Sequence, residues 1–273
     1  MYKASVIISV YKDAQALRCI FLGLENQSER SFEVVVAEDG RDSAMSLLVG
    51  EYRRSFPNLI HHSQDDIGFR KTLAVNQAIK LATADYLIFL DGDCIPHKDF
   101  VRHHLEQAAR GRVCTARRVH LGKEMSKEIR ANPACVFKLY GWFGLLLLFF
   151  RLHADKVRNY EIGAPSVFFH WFAKWRHLSI VGCNFSCFKE DILKINGYDE
   201  ALPGIGGEDC DLEWRFFGFN ITTKNIKFLA ITYHLFHDSR RQDADINVEM
   251  SRKNREQRKY FCEQGILKLP EKL

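Results

Sequence analysis

Ala84-Asp-Tyr-Leu-Ile-Phe-Leu-Asp91-Gly-Asp93 is the stretch that decides the fold class of this 273-residue chain. Its apolar part, residues 86–90, shows no polar alternation, the pattern of a strand buried on both faces. It breaks at two carboxylates one residue apart. Hard divalent cations such as Mg²⁺ and Mn²⁺ take oxygen ligands, and a pair of strand-end acids can hold one while leaving room for water or phosphate. The alternative is a plain turn, since Asp and Gly are both turn formers.

Upstream, strand and helix patterns alternate. Residues 5–10 are apolar and β-branched, residues 14–26 carry helical spacing at Leu17, Ile20, Phe21 and Leu24, and residues 32–37 form a second buried run ending in Glu38-Asp39-Gly40. A helix is predicted over 43–56, a short strand over 58–61 and another helix over 71–82. Continuous apolar strands joined by amphipathic helices predict an α/β chain with a mostly parallel sheet covered on both faces. Ligands of such sheets sit at the carboxyl ends of the strands, where Tyr11, Asp39 and Asp91 fall. No Gly-x-Gly-x-x-Gly follows the first strand, which argues against a Rossmann dehydrogenase.

Composition bounds the rest. With 47% hydrophobic and 27% charged residues the chain can bury one substantial core, and one catalytic domain is expected. Net charge is +5, from 39 basic and 34 acidic side chains. That permits anionic partners, but no nucleic-acid partner is expected. The eight cysteines include no paired zinc-finger spacing and read as reduced thiols of a cytosolic protein. The apolar stretch at the N-terminus is too short for a secretory leader, so no export is expected.

Two further constellations lie downstream. Gly206-Gly207-Glu208-Asp209-Cys210-Asp211-Leu-Glu213 sets a flexible glycine pair before acids that open a helix predicted over 212–217. Acids at a helix N-terminus are favourable by about 0.3–1 kcal/mol each, yet three within four positions exceed that need. His234-Leu-Phe-His237 follows the apolar segment 228–232, so both imidazoles emerge at another expected strand end.

The chain resembles the family 2 glycosyltransferases of the GT-A fold. The likeness is carried by Val6-Ile-Ile-Ser-Val-Tyr11, Val34-Val-Val-Ala-Glu-Asp39-Gly, Gly68-Phe-Arg70-Lys-Thr-Leu-Ala-Val-Asn76, the strand ending at Asp91-Gly-Asp93, and Gly182-Cys-Asn184-Phe-Ser. The block from Gly197 to Asp211 resembles the galactosyltransferase motif shared with β-1,4-galactosyltransferases and chondroitin-polymerising enzymes. These blocks run to about residue 237 and miss only the middle.

The resemblance implies a single Rossmann-like GT-A domain over 1–240. Its nucleotide-sugar part would be 1–115 and its acceptor and catalytic part 178–240, with an apolar, basic insertion over 130–177 and a helical tail over 241–273. It implies an inverting, metal-dependent transfer of a hexose or N-acetylhexosamine from a UDP-sugar to a glycan hydroxyl. Tyr11, Asp39, Arg70, Asp91, Gly182 and Asn184 would hold the donor, Asp39 by accepting from the uracil imide. Asp39 could equally be a turn or helix cap, and Asn76 reads as a packing group. Asp91, Asp93, His234 and His237 would supply ligands for Mn²⁺ or Mg²⁺, with Asp93 binding directly and the histidine register open. Asp209 would be the general base, with Glu208 beside it, and Glu208 and Asp211 would bind the acceptor.

Residues 139–150 are uncharged and bounded by Lys138 and Arg151, too few for the roughly 20 apolar residues a bilayer crossing needs. With the aromatic, basic stretch 168–176 they suit the membrane interface, against the alternatives of a core helix or an oligomer contact. Family analogy makes the acceptor a glycan or glycolipid of bacterial surface polysaccharide or lipopolysaccharide, and places the protein in the cytoplasm or at the cytoplasmic face of the inner membrane. Competing readings are a catalytically idle glycan- or nucleotide-binding module and a nucleotidyltransferase. The latter lacks its Gly-rich, basic first loop here.

Overall fold

A computed structural model describes residues 2–203, 205–238 and 244–268. In chain order the elements are β1 (Ala4–Val10), α1 (Ala14–Glu25), β2 (Phe32–Glu38), α2 (Ser43–Tyr52), β3 (Ile60–Ser63), α3 (Lys71–Leu81), β4 (Tyr86–Asp91) and β5 (Cys94–Pro96). Then come α4 (Phe100–Gln107), β6 (Arg112–Thr115), β7 (Arg118–His120), α5 (Lys123–Ala131), a 3₁₀ segment (Pro133–Leu139), α6 (Trp142–Ala154) and α7 (Val167–Ala173). The last are β8 (Asn184–Phe188), α8 (Lys189–Lys194), α9 (Glu208–Gly218), β9 (Thr222–Asn225), β10 (Thr232–His234) and α10 (Ala244–Glu256).

The main sheet has seven strands in the order β3-β2-β1-β4-β8-β6-β9. The first four are mutually parallel, and β8 runs antiparallel to both β4 and β6. The mostly parallel α/β class read from the sequence is the class observed. Side chains alternate between two cores, as a period of two requires: Val6, Ile8 and Val10 pack on one side of the sheet and Ile7 on the other. Ile88 and Leu90 of β4 likewise separate from Leu87 and Phe89. Burial on both faces explains why these strands read as unbroken apolar runs.

The chain order reverses at β1, which lies between β2 and β4, so a crevice opens past the carboxyl ends of β1 and β4. A second, three-stranded sheet, β5-β10-β7, stands beside that crevice. Its register places His234 opposite Cys94 on one side and His120 on the other.

Several local expectations change. The helix expected over 212–217 begins at Glu208, so the acids form its first turn. The segment 228–232 is not a strand: Phe228 takes φ +71°, and pairing starts only at Thr232. Among the described residues the tail helix covers Ala244–Glu256. Beyond it Asn196 donates to the carbonyls of Cys262 and Leu267 at 2.7 and 2.9 Å, tying the tail to the loop before the acids. Residues 241–243 and 269–273 of the expected tail lie outside the described residues.

Candidate active site

The site begins where β4 ends. The Gly92 amide donates to the Ser9 carbonyl at 2.7 Å, and a Cβ on Gly92 would stand 2.7 Å from that oxygen, so only glycine fits between the two acids. This close approach turns Asp91 and Asp93 in different directions. Asp91 accepts from Ser9 Oγ at 3.1 Å and Lys71 Nζ at 2.7 Å, with Arg118 3.8 Å away. Asp93 faces imidazoles instead, with His237 Nε2 at 3.0 Å and His234 Nε2 at 3.5 Å. Burial alone would raise the Asp93 pKa, but its bonds to the two histidines hold it well below the ordinary carboxylate range.

Asp93 and His234, with the neighbouring Cys94 thiol, bring potential ligand atoms within 4.8 Å of one another. His237 joins them, its ring 5.0 Å from that of His234. His120, which sequence reasoning missed, lies 5.1 Å from His234 ring to ring, and burial and the nearby Arg118 push it down to about 4, leaving it neutral. A carboxylate beside imidazoles fits a divalent transition metal such as Mn²⁺. Asp91, also expected in this set, is paired with Lys71 at 2.7 Å.

The second half of the site is the first turn of α9. Gly206 and Gly207 take φ +105° and +96°, a region open to glycine, and the Asn247 side chain of α10 donates to the Gly206 carbonyl at 2.8 Å. Glu208 is buried and Asp209 half-buried. Asp209 Oδ2 accepts from the Gly182 amide at 2.8 Å. Asp209 Oδ1 and Glu208 Oε2 are buried without a hydrogen-bond partner among the described residues. Burial and then the Glu208 charge push the Asp209 pKa up to about 7, with Lys71 opposing.

Lys71 ties the two halves together and was also missed. Burial disfavours its charge, but Asp91, Glu208 and Asp209 outweigh that and raise its pKa well above the usual lysine value. With Ser9, Gly182 and Tyr198 it lines a small crevice at the carboxyl ends of β1 and β4. The signal available in sequence was its place beside Arg70 at the start of α3.

The other expected residues divide. Tyr11 stands exposed just past β1. Asp39 accepts from the Arg70 amide at 2.7 Å and from Gln64 at 2.8 Å, bracing the loop before α3 as a cap would. Arg70 reaches the Asp65 carbonyl with its guanidinium. Asn76 takes the packing role, accepting from the Tyr198 amide at 2.8 Å and donating to the Tyr198 carbonyl at 2.9 Å.

Three further expected residues are engaged in contacts within the chain. Gly182 was expected at the donor, but its amide instead orients Asp209. Asn184, expected at the donor, is wholly buried, bonded to His104 at 3.1 Å and to the Ala230 carbonyl at 3.0 Å, and so pins β8 to its neighbours. Asp211, expected at the acceptor, is wholly buried and pairs through Oδ2 with Arg215 at 2.7 Å.

A profile of glycosyl transferase family 2 matches residues 5–174, and one described as the N-terminal domain of galactosyltransferase matches 166–238. The chain is 23% identical to the hyaluronan synthase of Pasteurella multocida over 260 residues, 88% of this chain and 25% of that protein. It is 26% identical to validoxylamine A glucosyltransferase of Streptomyces hygroscopicus subsp. limoneus over 234 residues, 80% of this chain and 48% of that protein. The chain thus spans a quarter to about half of these relatives. In structure it is similar to a mannosyltransferase from Pyrobaculum calidifontis in complex with GDP-Man and Mn²⁺, with TM-score 0.56 and 15% identity over 86% of this chain and 57% of that one. GalNAc-T7 with UDP, GalNAc and Mn²⁺ gives TM-score 0.63 and 11% identity over 93% of this chain and 48% of that one. At such identities the structural likeness is one of fold, the GT-A fold. Because the family profile spans well over half of the residues, the chain belongs to glycosyl transferase family 2.

Proposed function

We propose that this chain transfers a sugar from a nucleotide-sugar donor to a hydroxyl of a glycan acceptor, with inversion at the anomeric carbon. The observation that carries this reading is Asp209. It is a half-buried carboxylate pushed up to about 7, with one oxygen oriented by an amide and the other buried without a partner. A general base works best when its pKa lies near the working pH.

Asp209 Oδ1 takes the proton of the acceptor hydroxyl as its oxygen bonds to the anomeric carbon, while the bond from that carbon to the diphosphate breaks. Glu208, buried beside it, orients the acceptor. Lys71 and Arg118, held by Asp91, place positive charge where the leaving diphosphate gathers its negative charge. Asp93, His234 and His237 would hold a divalent cation, Mn²⁺ by donor type, whose chemistry there is charge neutralisation of the departing group.

The donor class is a UDP-sugar carrying a hexose or N-acetylhexosamine. Relatives named as hyaluronan and chondroitin synthases support a growing polysaccharide, or its lipid-linked form, as acceptor. The Asp209 carboxylate, with one oxygen oriented by the Gly182 amide, the other without a partner among the described residues and its pKa pushed up to about 7, supports turnover over an idle binding module. Purified protein incubated with Mn²⁺ and a panel of nucleotide sugars should release free UDP from one or two donors. Binding of a nucleotide sugar with no release, with or without oligosaccharide acceptors, would return the chain to the binding-module reading.

A further inference from the structure

Among the described residues no single helix is long and apolar enough to cross a membrane, and the 3₁₀ segment and α6 meet at 101°. Yet α6 buries only Gly144 and Leu148, and α7 only His170. Eleven large apolar side chains between residues 142 and 175 are exposed, Phe143 by 89%, Trp175 by 81% and Phe150 by 70%. At roughly 150–250 Å² per aromatic side chain, this is on the order of 1,000 Å² of apolar surface. Contiguous patches on soluble monomers seldom exceed a few hundred Å².

The two helices spring from one point. The Tyr233 hydroxyl lies 3.1 Å from the Leu139 carbonyl, just before α6, and 2.9 Å from that of Gly163, just before α7. Phe169 of α7 packs on Phe228 with ring centroids 5.6 Å apart. Tyr233 precedes His234, so the surface is anchored one residue from the candidate metal ligands.

Charge selects the occupant. Residues 132–176 contain six lysines and arginines against two acids. Of those acids, Asp155 is buried, capping the α5 amides of Glu124 and Met125, and Glu161 faces Lys227 at 3.8 Å. Lys138, Lys156, Arg158, Lys174 and Arg176 of this stretch are exposed along with the aromatics, Lys174 lying 4.9 Å from the Trp175 ring. A second copy of the same segment would bring like charge to like, whereas anionic headgroups would meet opposite charge and acyl chains would take the rings.

We propose that α6 and α7 form a monotopic docking surface for an anionic lipid bilayer, seating the candidate active site at the headgroup level. The inference rests on this surface and not on the transferase reading.

The test is sedimentation of the full chain with liposomes of phosphatidylcholine alone and with phosphatidylglycerol added. Binding should require phosphatidylglycerol and weaken as salt rises. Phe143→Glu with Phe168→Glu should lower the bound fraction at least tenfold, and Lys138→Glu with Lys174→Glu should remove the dependence on phosphatidylglycerol. These side chains are exposed, so thermal melting should stay unchanged and confirm folded variants. UDP release with a soluble acceptor should persist in them, which separates loss of docking from loss of the site. A folded parent that fails to sediment with either liposome would overturn the proposal. So would a concentration-dependent dimer, seen by light scattering, that the aromatic variants dissociate while liposome binding is absent.

Discussion

The Gly182 amide donates a 2.8 Å hydrogen bond to Asp209 Oδ2, and this contact between residues 27 positions apart orients the acid that faces the crevice. A Cβ on Gly182 would stand 2.7 Å from Asp209 Oδ1. Gly182→Ala should therefore displace the carboxylate and slow sugar transfer at least about tenfold through kcat, while the Mn²⁺ concentration for half-activation stays as in the parent. Steady-state assays at varied Mn²⁺ check this. An equal loss in metal response would assign Gly182 to the metal half of the site.

Asp209→Asn keeps the shape and removes the base. Transfer should fall by at least roughly 10², while calorimetric donor affinity stays within a few-fold of the parent. Glu208→Gln should act through the acceptor KM. Near-normal transfer by Asp209→Asn together with abolition by Glu208→Gln would shift the base by one residue.

The Asp209 pKa of about 7 also sets a pH dependence. Activity needs the ionised form and should rise with a midpoint near pH 7. Because the folded value lies above the unfolded one, the native state holds the extra proton between about pH 4 and 7. The parent should therefore lose stability as pH rises through that window. Asp209→Asn lacks this loss: its melting temperature should match the parent near pH 4 and exceed it at pH 8. A gap that narrows as pH rises would contradict the assigned shift.

The metal half should respond separately. Asp93→Ala should abolish Mn²⁺-dependent donor binding, measured by UDP titration with and without the metal. His234→Ala and His237→Ala should each raise the Mn²⁺ needed for half-maximal activity by about tenfold or more, as lost ligands do. Negligible shifts from both histidines would return them to hydrogen-bonding roles around Asp93.

Asp211 and Arg215 form a buried pair whose guanidinium also donates to the carbonyls of Ile195 and Gly197 at 2.8 and 2.7 Å. Asp211→Ala strands that charge and should cost about 3–5 kcal/mol of folding stability in urea denaturation. Activity per folded molecule and acceptor KM should be unchanged. A raised acceptor KM in a fully folded variant would restore the acceptor role expected from the sequence.

Local pattern was enough to read the alternation of strands and helices, because burial on both faces leaves unbroken apolar runs and one-sided burial leaves helical spacing. It also disclosed the Asp91-Gly92-Asp93 turn and the glycines before Glu208, since a backbone approach too close for a Cβ and φ near +100° both favour glycine. What local pattern could not disclose is how distant pieces meet. The register of β10 against β5 brings His234 to Asp93 and leaves Asp91 to Lys71. The docking of α9 points Asp209 at Gly182 and, half a turn on, buries Asp211 against Arg215. Acids that look alike along the chain thus become a candidate metal ligand, a candidate base and a structural ion pair. Side-chain chemistry at each position belongs to the sequence, but its ionisation and orientation follow from neighbours that only the tertiary fold supplies.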